Sequence, residues 1–188
     1  VAGDGTGQAS VSPTTVDSNQ LFDLTLQFST SDDYELTQIE VELPQEFNWS
    51  QNSGDVVLSG AAFSTASVTV SQNTITIENA LLTTAQSGQL EIQNVQAPAA
   101  EGTYPIVVKT ATSGGKLTPI SIFPSISVQK KLTIADIQNN VSQYEGQQVT
   151  IEAVVSIGVN ITRTDRCDAY VQDESGRGIN LSDFSTDY

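Results

Sequence analysis

Apolar and polar residues alternate with a period of two along most of residues 9–128, a pattern that places apolar side chains on one face of a strand. In Phe22-Asp23-Leu24-Thr25-Leu26-Gln27-Phe28 the apolar members fall on one side and Asp23, Thr25 and Gln27 on the other. Ile39-Glu40-Val41-Glu42-Leu43 repeats the pattern, and Pro44, which has no ladder donor, ends it. Val68/Val70, Ile75/Ile77, Leu90/Ile92 and Tyr104/Ile106/Val108 continue it. Turn chemistry separates the runs: Ser31-Asp32-Asp33, Asn52-Ser53-Gly54-Asp55, Gln72-Asn73, Ser87-Gly88 and Ser113-Gly114-Gly115-Lys116. Short strands at a spacing of about ten residues, with no helical period, predict an all-β fold class with an antiparallel sandwich over residues 1–128. Its predicted core is Phe22, Leu24, Leu26, Phe28, Ile39, Val41, Leu43, Ile75, Ile77, Leu90, Ile92, Ile106 and Val108. Leu81–Ala85 reads either as strand or as a short helical turn.

The pattern changes after Val128. Thr133 is placed to cap a short helix carrying Ile134 and Ile137 three apart, and Asn139-Asn140 ends it. A long strand is predicted over Val149–Ile157, with further strands at Cys167–Gln172 and Gly178–Phe184 around the turn Asp173-Glu174-Ser175-Gly176-Arg177. These features predict a domain boundary at about residue 129.

Charge follows the same division. The 188 residues carry a net charge of −15, and the first basic residue is Lys109. That acidity argues against a protein that coats nucleic acid. Histidine is absent, which removes a Ser-His-Asp or Cys-His pair and any imidazole ligand. Cys167 is the only cysteine, so no intrachain disulfide forms; it reads as a small core residue or as a bridge between chains. Glu40 and Glu42 belong to the solvent face of a strand rather than to an acid–base pair. Gly3-Asp4-Gly5-Thr6-Gly7 reads as a flexible leader, since no strand–turn–helix context makes it a phosphate loop. The chain is therefore read as non-catalytic. Val1-Ala2-Gly3-Asp4 suits a mature N-terminus left by signal-peptide cleavage, and no apolar run reaches a membrane span. With abundant Ser, Thr, Asn and Gln, this predicts an extracellular or cell-surface location. Asn48, Asn140, Asn160 and Asn180 head glycosylation sequons, and Trp49 reads as core or rim packing before a sugar platform.

Two stretches resemble known modules. Asp4-Gly5-Thr6-Gly7-Gln8-Ala9-Ser10-Val11-Ser12-Pro13-Thr14-Thr15-Val16 resembles the first strand of immunoglobulin-like modules in bacterial secreted and surface proteins. Ile134–Gln138, Tyr144–Ile151, Ala169–Asp173 and Ser175–Ile179 look like the OB-fold module of bacterial extracellular nucleases and surface proteins. This resemblance implies that 129–188 is the N-terminal, three-strand part of an OB-type β-barrel. The missing strands would come from downstream in the same polypeptide or from a neighbouring subunit. It also implies a ligand face on the second and third strands, with Tyr170 as a stacking ring and Arg163, Arg166 and Arg177 as phosphate partners for nucleic acid or polysaccharide. Alternation sends Cys167, Ala169 and Val171 inward and Arg166, Asp168 and Tyr170 outward, with Asp165, Asp168 and Asp173 opposing phosphate.

No cofactor is called for, but calcium is the one ligand to weigh. Its candidate oxygen ligands lie in acidic loops: Asp32, Asp33, Glu35 and Asp55, with Asp4 and Asn52. The leading function is a non-catalytic extracellular unit acting as spacer, adhesion or assembly element. The alternatives are the accessory binding region of a secreted nuclease or hydrolase, and a strand-sharing subunit of a fibre.

Overall fold

The computed structural model describes residues 2–158 and 167–183. It divides into two compact units, Val1–Lys130 and Lys131–Tyr188.

In the first unit, strands β1 (Gln8–Ser12), β2 (Thr15–Asp17), β3 (Leu21–Ser29), β4 (Leu36–Glu42), β5 (Val56–Ser59), β6 (Ser67–Ser71), β7 (Thr74–Leu82), β8 (Gly88–Gln96), β9 (Gly102–Pro105), β10 (Val107–Thr112), β11 (Thr118–Pro119) and β12 (Ser125–Gln129) form three sheets. The four-stranded sheet runs β1-β3-β8-β5 and the five-stranded sheet β11-β10-β4-β7-β6. A third sheet, β2-β12-β9, adds the one parallel pairing, β2 against β12, to an otherwise antiparallel design.

Alternation dictates what lies inside. Leu24, Leu26 and Phe28 of β3 are buried while Asp23 and Gln27 are exposed. Ile39 and Val41 of β4 pair across with Ile77 and Ile75 of β7, and all four are fully buried. Every predicted core residue is buried except Phe22, which is half-buried and meets Phe47 edge-on at 6.3 Å between ring centroids. Each fully buried aliphatic or aromatic side chain contributes about 1.5–3 kcal/mol relative to exposure. Trp49 joins this core, its indole N–H donating to Asn73 Oδ1 at 3.3 Å.

Two local expectations are corrected, and the open reading of Leu81–Ala85 is decided for strand at its first two residues. Residues 81–82 continue β7, because Asn79 takes a left-handed φ of 58° and Leu82 still reaches Leu36 across the ladder. The Gly3–Gly7 segment is an ordered turn, with Gly5 N–H donating to the Thr110 carbonyl at 3.1 Å. Glycine is required at position 5, where φ is +76° and a Cβ would come within 2.8 Å of Thr118.

The second unit contains α1 (Ile134–Asn139), α2 (Val141–Tyr144) and a three-stranded sheet of β13 (Val154–Ile157), β14 (Cys167–Gln172) and β15 (Gly178–Asp183). Thr133 caps α1 in a capping box with Asp136. The predicted strand over 149–157 is cut to its last four residues, the second correction. Only Val154, Val155 and Ile157 find register partners, on Gln172, Val171 and Tyr170, and a strand without a partner has no ladder to hold it.

Candidate functional site

The ligand face implied by the resemblance lies on the β14–β15 hairpin. Tyr170 sits mid-strand, 39% exposed, between Ile157 and Asn180 on the flanking strands. Arg177 lies in the exposed turn before β15, beyond the Gln172–Gly178 pair and so about 10 Å along the ladder from Tyr170. The hairpin therefore sets the two residues about three positions apart along the ladder. Arg163 and Arg166, and the side chain of Cys167, lie outside the described residues. Asp168 departs from its expected outward, solvated position. It is 5% exposed and accepts a hydrogen bond from the Ser182 hydroxyl, its direct cross-strand partner.

The turn beside Arg177 is organised by a carboxylate. Asp173 accepts hydrogen bonds from the Ser175 hydroxyl, from Ser175 N–H at 3.0 Å and from Ile134 N–H at 2.5 Å. The Ser175 hydroxyl first, and the Ile134 amide after it, hold its carboxyl below the ordinary value against the opposing effect of burial. Asp173 is thus an ionised clasp between the start of α1 and the hairpin turn. With Glu174 next to it, the local charge opposes a phosphate at Arg177. A depression of about 500 Å³ alongside is lined by Lys131, Glu152, Ala153, Val154, Ser156, Gln172, Asp173 and Glu174. Lys131 Nζ lies 2.9 Å from Glu152 Oε2, and that contact lowers the Glu152 pKa.

The calcium candidates occupy three places, one of them the N-terminal turn that carries Asp4. Asp32, Asp33 and Glu35 lie in the β3–β4 loop, and Asp55 ends the 3-10 turn Ser53–Asp55 before β5. Among the described residues no three His, Cys, Asp or Glu side chains gather in a metal-holding group.

The most perturbed carboxylate is one that the sequence placed in a mobile leader. Asp4 accepts from Lys116 N–H at 2.8 Å, Thr112 N–H at 3.0 Å and Thr112 Oγ1 at 2.9 Å. The Lys116 and Thr112 amides hold its carboxyl far below the usual carboxylate range. Its partners are more than a hundred residues away, so no local signal could reveal them. Gly115 leaves room for it, since a Cβ there would lie 2.1 Å from Asp4 Oδ1. On the five-stranded sheet Lys109 Nζ meets Glu40 Oε1 at 2.6 Å, and that hydrogen bond raises the lysine pKa. No helix among the described residues is long and apolar enough to cross a membrane.

No family model and no curated protein matches the chain. Solved structures do. The bacterial hydrophobin BslA is 22% identical, with a TM-score of 0.48 over 68% of this chain and 98% of its own. The RrgA Jo.In complex is 12% identical, with a TM-score of 0.48 over 70% of this chain and 82% of its own. A non-cellulosomal cohesin from the hyperthermophilic archaeon Archaeoglobus fulgidus is 8% identical, with a TM-score of 0.43 over 74% of this chain and 98% of its own.

Proposed function

We propose that this chain is a non-catalytic structural unit of a secreted or surface protein, acting as a spacer or assembly element. The observation that supports this is how its perturbed carboxylates are used. Asp4 holds the N-terminal turn to the β10–β11 connection, and Asp173 holds α1 to the β14–β15 turn. Both oxygens of Asp4 are taken up by donors of the fold itself, leaving little capacity for proton transfer to a substrate. Buried side-chain polar atoms among the described residues all have partners, so no orphaned group points into a cavity.

Stability measurements test the reading. Polar groups held for chemistry commonly cost stability, and removing them often raises it. Here Asp4→Asn and Asp173→Asn are expected to lower the melting temperature. A rise in either variant, or turnover of peptide, glycan or phosphodiester substrates by the wild-type chain that either variant abolishes, would overturn the structural role.

A further inference from the structure

The edges of the first unit's sheets are not equally protected. An edge strand presents unpaired N–H and C=O groups, and proteins blunt such edges with proline, charge, bulges or short length. Strand β11 is two residues long and includes Pro119, and β9 ends on Pro105. Strand β1 stops at Ser12 before Pro13, and the four-residue β5 follows directly on Asp55. Strand β6 has none of these devices. It is five residues long and pairs with β7 from Ser67↔Glu78 to Ser71↔Thr74 without a register shift. No charged residue occurs between Asp55 and Glu78 in a chain of net charge −15. The charged residues beside the strand on other elements are Glu78, the β7 partner of Ser67, and Asp55, in the 3-10 turn that contacts it.

The strand is also a palindrome, Ser67-Val68-Thr69-Val70-Ser71. An antiparallel pairing of β6 with itself, centred on Thr69, sets Thr69 against Thr69, Val68 against Val70 and Ser67 against Ser71. Backbone geometry agrees. The two-residue turn Gln72-Asn73 closes on the Ser71–Thr74 pair, and hydrogen-bonded pairs alternate from there. The outward N–H and C=O groups are then those of Val68 and Val70, and no other described backbone or side-chain group bonds them. These are the residues that face each other across the Thr69 dyad.

We propose that the β6 edge pairs with the same edge of a second copy of this chain, joining two five-stranded sheets across a two-fold axis at Thr69. About four backbone hydrogen bonds form, as two Val68–Val70 exchanges. The half-buried Val68 and Val70 extend the inner apolar row, and the two exposed Thr69 hydroxyls meet on the outer face. The contact is isologous, and the opposite edge of the sheet is the short, proline-bearing β11, so association stops at two. Because both copies are acidic elsewhere, added salt strengthens the dimer.

This names a partner for the assembly role proposed above and rests on that reading. Cross-linking of the full chain tests it. In the pair, opposed Thr69 Cα atoms lie about 4.5 Å apart, within disulfide reach. The two Ser71 positions lie about 14 Å apart and out of reach. Thr69→Cys should give a covalent dimer under mild oxidation in roughly tenfold greater yield than Ser71→Cys, a comparison in which the Cys167 background is common to both. Thr69→Lys should turn the sedimenting dimer into monomer at the same concentration, with an unchanged melt of Trp49 fluorescence. Thr76→Lys, one strand inward, should leave the dimer intact. Equal cross-linking at both cysteine positions, a Thr69→Lys dimer, or wild-type chain that stays monomeric at millimolar concentration and high salt would overturn the pairing. None of these results would bear on the melting behaviour of the Asp4 and Asp173 variants, so the two readings fail separately.

Discussion

Strands β3 and β13 both carry large apolar residues and meet different fates. On β3, Leu24, Leu26 and Phe28 are buried because β4, β7 and β10 present Ile39, Val41, Ile75, Ile77 and Val108 to the same core. On β13, Val154 is 75% exposed and Val155 58%. In the second unit the buried hydrophobic residues among those described are Ile134 and Val171. Alternation decides which face of a strand is apolar. Burial depends on what packs against that face, and the sequence of the strand itself does not contain that information.

The sharpest way to break the comparison is by truncation. Ile77→Ala should cost about 2–5 kcal/mol, because the packed core cannot collapse around the lost atoms. Val154→Ala should stay within about 0.5 kcal/mol, as befits an exposed position. Urea unfolding followed by Trp49 fluorescence for the first, and hydrogen exchange of the β14 amides for the second, would show it. Equal costs would mean that β13 is covered in solution.

A smaller effect separates the two carboxylate clasps from the hydrophobic contribution. The folded-state pKa of Asp4 is depressed, so its stabilisation is fully present above the unfolded value of about 3.9 and is lost as pH falls through the folded value. Asp4→Asn should therefore melt below wild type at neutral pH, with the gap closing progressively in acid. A gap independent of pH would assign the loss to packing.

Smaller still is the Lys109–Glu40 pair. The lysine pKa is raised, so its contribution is present below the unfolded value of about 10.4 and lost as pH rises through the folded one. Glu40→Gln should cost about 0.5 kcal/mol at pH 7, since both side chains remain partly solvated, and nothing in strong base. Thermal melts at both pH values check this. Last comes calcium: because the acidic loops do not gather three ligands among the described residues, millimolar calcium should leave the melting temperature where a chelator leaves it. A rise in calcium would mean that the loop carboxylates converge in solution.

Much of the sandwich was legible because its signal is local. Asp23 and Gln27 are exposed between buried Leu24, Leu26 and Phe28, as a period of two requires. The helix after Lys131 was legible for the same reason, since Thr133 and Asp136 lie within one turn of each other. What escaped was non-local. The Gly3–Gly7 turn resembles a loose leader until Thr112 and Lys116 are brought to it by the closing of β10. Asp168 falls on the outward side by the alternation of β14, yet it is buried, with the Ser182 hydroxyl bonded to it from the next strand. Residues 149–153 carry a strand's composition, but strands form in pairs, and β14 offers register partners only from Val154 onward.

The parallel β2–β12 pairing has a mechanical consequence. Thr15, Val16 and Asp17 run alongside Ser127, Val128 and Gln129, flanked by the Ser127 N–H to Thr14 and Ser18 N–H to Gln129 bonds, each 2.8 Å. Tension applied to the sandwich through its N-terminal segment and through Lys130 pulls these two strands past each other. Their hydrogen bonds then share the load in shear, instead of opening one after another as in a peeled hairpin. Upstream, the Asp4 clasp on Thr112 and Lys116 and then the β1–β3 pairing must let go before force from that side reaches the ladder. A sandwich tied in this way holds its length under load until the whole ladder yields at once.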